Sequence, residues 1–176
     1  MGDLAQTTGT AEDDFADMMR QVKEHELLYG DTSVLRVFGP MAACVALNNL
    51  AVADECLQRV ACLCLGKMMS VSARFCEEHL SLFLTIMERS ADPVIKSNMA
   101  IAFGDICQSF SRLLDPHIGH LFQLLKPNDS QLLVRRTALM VITHLTLSGM
   151  IKVKGAMIGD IAMCVDDGEE PHIRDL

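Results

Sequence analysis

The residues able to do chemistry in this chain stand singly or in pairs. Seven cysteines occur, Cys44, Cys56, Cys62, Cys64, Cys76, Cys107 and Cys164. Cys62-x-Cys64 and Cys76-x-x-His79 each supply one half of a metal-binding pattern, but a structural zinc site needs a second paired half. His117-x-x-His120 places two imidazoles on one face of a helix, with no carboxylate or thiol close in sequence. Asp166, Asp167, Glu169 and Glu170 form an acidic run without the spacing of a calcium loop. A solvated turn, open to basic histone tails, accounts for it more simply. The sequence has no phosphate-cradling GxxxxGK[ST], no GxGxxG after a strand and no GxSxG elbow. The expectation is therefore no catalytic residue, no metal, no cofactor and no small-molecule substrate, hence not an enzyme. A redox or metal-dependent module using the Cys and His residues is the rival reading. An odd cysteine count, mostly on apolar helical faces, fits reduced thiols packed as small hydrophobes in cytosol or nucleus. His144, inside an apolar helix, reads as packed and hydrogen-bonded.

The basic residues show more order. Lys96, Arg135 and Arg174 follow one another at intervals of 39 residues, with Arg136 beside the second and Lys152 and Lys154 following the helix that Arg135 begins. On stacked repeats such positions line up along one edge, where Lys and Arg neutralise phosphates without reading bases. Lys152, Lys154, Arg135, Arg136 and Lys96 are the candidate DNA or chromatin contacts. The competing reading is structural: Arg135 and Lys96 pair with Asp92 or Asp129 between repeats.

Positioning those residues requires helices. Anchored at Leu57, Ile95 and Val134, a ladder that is apolar except for Asn98 and Thr137 recurs at +3, +4, +7, +8 and +11, and a fourth anchor stands at Ile173. These offsets lie on one face of a helix with 3.6 residues per turn. Spacings of 38, 39 and 39 residues, with two helices per unit, are those of HEAT-type repeats. The expected fold is all-α, a HEAT-type α-solenoid of about three helix pairs preceded by lead-in helices. Gly66 and Gly104 fall at one ladder position, which predicts close helix packing there.

Residues 1–11 read as a disordered tail and 12–53 as lead-in helices, the first from Glu12 to Tyr29 with Phe15, Met18, Met19 and Val22 as its stripe. The second runs from Val34 to Ala53 and is interrupted or opened near Gly39-Pro40, where Pro is tolerated in a first turn. Repeats are expected at 54–90, 91–126 and 127–165, with a fourth begun at 166–176 and left uncapped, as in part of a longer protein. Asp92-Pro93 starts the second A helix, which reaches about Phe110, and Asp115-Pro116 opens its B helix. Gly149 stops the third A helix, and the last B helix spans about Lys152 to Val165. Half the residues are apolar, with 12 Met and no Trp, so the core is aliphatic. The net charge of -8 is concentrated at the ends: residues 1–31 hold eight acids and two bases, 166–176 five acids and one base. The body between them is weakly basic and neither demands nor excludes nucleic acid. No signal peptide or membrane span is evident, and a soluble intracellular protein is expected.

Four stretches carry a resemblance: HELLYGDTSVLRVFGP (25–40), the run from Leu57 to Asp105, VRRTALMVITHLTLSGMIKVKG (134–155), and Met163 to Leu176. In order and spacing they are similar to the C-terminal repeat region of the condensin subunit 1 family, the non-SMC HEAT subunits. PNDSQLLVRR departs from that pattern, being two or three residues longer before the third A helix. The resemblance implies a non-catalytic scaffold in mitotic chromosome condensation. Its partners would be the SMC ATPase subunits, the kleisin and the second HEAT subunit of condensin, together with DNA or chromatin and no membrane. Its place would be the nucleus and mitotic chromosomes, with cytoplasm possible in interphase. The alternative is another HEAT or armadillo adaptor, such as a nuclear-transport or vesicle-coat scaffold.

Overall fold

In a computed structural model, the protein is described over residues 11–47, 54–126, 132–152 and 155–166. Among these there is no strand, and no helix is long and apolar enough to cross a membrane. Eight α-helices follow in order: α1 (Ala11–Gln21), α2 (Leu35–Ala46), α3 (Glu55–Met69), α4 (Ala73–Arg89), α5 (Pro93–Leu114), α6 (Ile118–Gln123), α7 (Leu132–Leu147) and α8 (Gly155–Asp166). A π turn (Val22–Glu26) follows α1, and a 3-10 turn (Asp115–His117) precedes α6.

The chain starts and stops its helices with recognisable chemistry. Asp54 caps α3, accepting from the Cys56 and Leu57 amides at 2.8 and 3.1 Å. Asp92 caps α5, accepting from Val94 at 2.8 Å, and Pro93 takes the first helical position, where a missing N–H costs nothing. Gly149, with φ of 71°, closes α7. The Gly149 amide donates to the Thr146 carbonyl at 3.0 Å and the Met150 amide to Leu145 at 2.9 Å. These two bonds satisfy carbonyls that a helix end leaves orphaned.

The repeated ladder builds one layer. α3 packs on α5 and α5 on α7, while α4 lies against α3 and α5, and α6 against α5 and α7, as the second layer. This is an all-α HEAT-type solenoid. Ile95, Met99, Phe103 and Ile106 on α5, and Val134, Ala138, Ile142 and Leu145 on α7, are all buried. The approach is closest at the two ladder glycines. A Cβ on Gly66 would lie 2.6 Å from Ala102 Cβ, and one on Gly104 would lie 2.9 Å from a Val141 methyl. The close packing expected at these glycines is present.

Several expectations shift. The first helix passes after Gln21 into a π turn that runs to Glu26, with helical backbone at both Gln21 and Leu27, and Tyr29 lies in the turn that follows. Its stripe of Phe15, Met18, Met19 and Val22 is exposed, and no residue of α1 is buried. Pro40 does not open a helix but lies inside α2, which starts at Leu35. The ring stays at the surface while Gly39 beside it is buried against Phe75. The A-helix end expected near Phe110 is a kink at that residue (φ -140°, ψ 58°), beyond which helix resumes to Leu114. In the first ladder copy, Leu57 and Val60 are 47 and 57% exposed, although Ile95 and Val134, equivalent to Leu57, are 1% exposed. The tail 1–10, Asn128 to Ser130 and the start of a fourth repeat lie outside the described residues, except that Asp166 closes α8.

Candidate functional site

Polar side-chain contacts tie neighbouring helices at several points of the stack. Arg59 on α3 donates through Nε to Asp92 Oδ2 at 2.5 Å, joining two successive A helices, and also approaches Glu55. Burial of Asp92 works to raise its carboxyl pKa. The Arg59 hydrogen bond and the Val94 amide outweigh that burial, so the group is held below the usual range. An inter-repeat acid–base pair was anticipated at Asp92, but with Arg135 or Lys96 as its base. Arg59, which no local pattern singles out, takes that place. Beside the pair opens a cleft of about 720 Å³, lined by Asp54, Gln58, Arg59, Arg89 and Asp92 among others. Asp54 and Asp92 already serve as helix caps.

The candidate basic residues do not share one environment. Arg135 is buried at 7% exposure, Lys96 is half-buried, and Arg136 and Lys152 are exposed. Lys152 lies in the connection after α7, since α8 begins only at Gly155. Lys154, Arg174 and Asp129 lie outside the described residues.

Two further polar ties hold neighbouring helices. Gln108 Nε2 on α5 lies 2.7 Å from His144 Nε2 on α7, so His144 is hydrogen-bonded as expected but exposed rather than packed. His120 on α6 pairs with Glu88 on α4, a carboxylate 32 residues away that short-range spacing could not reveal. His117 sits in the 3-10 turn, with its ring centroid 5.8 Å from that of His120. At the opposite end, Glu24 accepts from the Ser72 hydroxyl and the Ala73 amide, each at 3.0 Å. Tyr29 donates to Glu78 at 2.8 Å, and the Arg74 guanidinium lies 4.0 Å from the Tyr29 ring centroid.

The thiols are placed for packing. Cys62, Cys76 and Cys107 are buried, and burial raises their pKa to about 11, 11 and 12. At neutral pH such thiols carry little thiolate, the form that attacks or binds metal. Cys44 and Cys56 are exposed, and Cys64 is half-buried. Among the described residues no three His, Cys, Asp or Glu side chains converge as a metal-holding group.

Residues 94–176 match the family described as non-SMC mitotic condensation complex subunit 1. Condensin complex subunit 1 of Saccharomyces cerevisiae is 42% identical over 168 residues, covering 96% of this chain and 14% of the yeast protein. The Schizosaccharomyces pombe protein of the same name is 37% identical over 169 residues, covering 96% of the chain and 14% of that protein. The human one is 37% identical over 174 residues, covering 99% of the chain and 12% of that protein. The chain thus spans about one seventh of the length of the relatives it matches. These similarities set aside a transport or coat adaptor. Alike over almost its whole length in fungal and human proteins, and built as a stack of the helices its ladder requires, this chain belongs to the condensin subunit 1 family.

Proposed function

We propose that the chain is a non-catalytic scaffold segment of a condensin complex, supporting mitotic chromosome condensation by binding alone. The observation that carries this reading is similarity to condensin subunit 1 along 96 to 99% of the chain. The α3–α5–α7 stack supports it, because its close approaches at Gly66 and Gly104 make a stiff surface rather than an enclosed pocket. Helix pairs at 54–90, 91–126 and 127–165 act as the repeats, behind the lead-in helices of 12–53. The partners are the SMC ATPase subunits, which hydrolyse ATP, the kleisin, the second HEAT subunit, and DNA or chromatin. The protein works in the nucleus and on mitotic chromosomes.

DNA contact is proposed at Arg136, in the first turns of α7, and at Lys152, beyond the other end of that helix, whose exposed charges suit phosphates. Lys154 and Lys96 extend this set, while the burial of Arg135 suits it to a structural role. Affinity purification of the tagged full-length protein from mitotic cells, with mass spectrometry, tests the scaffold. Co-elution of two SMC ATPases, a kleisin and a second HEAT subunit is expected, and transport receptors or coat proteins in their place would refute it. Salt-titrated DNA binding tests these contacts. Arg136→Glu with Lys152→Glu should lower affinity and flatten its salt dependence by about two phosphate contacts. An unchanged slope would remove both residues from the contact.

A further inference from the structure

We draw no further inference here: the strongest candidate, the outward face of α3, α5 and α7, where Leu63, Ile101 and Met140 stand exposed at matching positions of the ladder with Lys67 and Asp105 one turn beyond, is an apolar row for which nothing in the structure shows what covers it.

Discussion

At Gly66 the first atom of any side chain is already too large. Its Cβ would sit 2.6 Å from Ala102 Cβ, which is attached directly to the α5 backbone and cannot turn away. Relief means separating α3 from α5, and overpacking of this kind costs about 1–3 kcal/mol. The helix propensity gained by Ala returns about 1 kcal/mol at most. Gly66→Ala is therefore expected to lower stability by roughly 1 kcal/mol in a urea titration. Gly119→Ala, with nothing within 4 Å of the new Cβ, should be neutral or gain a few tenths. A Gly66→Ala chain as stable as its parent would contradict the close approach. A second prediction concerns acid. The Asp92 carboxyl is depressed in the fold, so its stabilisation is complete above its unfolded pKa near 4 and is lost as pH falls through the folded value. Asn caps a helix about as well as Asp, so Asp92→Asn isolates the charge. The variant should be less stable than the parent at pH 7, and the gap should shrink below about pH 4. A gap independent of pH would mean that the Arg59 pair contributes nothing. The glycines were legible because one offset held them in two copies of the ladder. Arg59 was not, because its partner lies 33 residues away and only the stacked helices bring them together.

Helix α4 begins with a cap shared between two segments. Ser72 Oγ accepts from the Phe75 amide at 3.3 Å while Glu24, from the π turn, takes the Ser72 hydroxyl and the Ala73 amide. Removing the carboxylate leaves Ala73 without that partner, in a place where a charge-assisted bond is worth about 1.5–3 kcal/mol. Glu24→Ala should accelerate hydrogen exchange across residues 22–29 and in the first turn of α4, leaving α7 unchanged. Protection lost evenly along the chain would show instead that the connector is integral to the whole stack. At this scale the sequence announces starts and stops well. Asp92-Pro93 and Gly149 are local chemistry, and they act where they stand. The π turn carries no such mark, since Val22 to Glu26 are ordinary helix residues and the loosening goes with the anchoring of Glu24 to another helix. Pro40 misled for a related reason. The position reads as a first turn, yet burial of Gly39 against Phe75 carries α2 through the proline.

Across the whole molecule, three copies of one ladder are not three copies of one energy. The anchors Ile95 and Val134 are each 1% exposed beneath a preceding helix, while Leu57 is 47% exposed. Truncating a buried Ile to Ala costs about 2–5 kcal/mol, through lost transfer energy and the cavity left behind. The same truncation at a half-exposed position approaches the surface range, about 0.5 kcal/mol. Ile95→Ala should therefore destabilise several times more than Leu57→Ala in chemical denaturation, although periodicity makes the two positions identical. Phe103, fully buried on the central A helix, should cost about 3–5 kcal/mol as Phe103→Ala. In a stack where each unit touches only its neighbours, that loss should loosen α3 and α7 together. Hydrogen exchange resolves the pattern: Phe103→Ala raises exchange on both sides of α5, whereas Leu57→Ala raises it in α3 alone. Equal costs for Ile95→Ala and Leu57→Ala would mean that the Leu57 face is covered in solution, which a helix seated over the N-terminal part of α3 would produce. The periodicity of the sequence names which residues share a face, and only the neighbouring helix decides whether that face is buried.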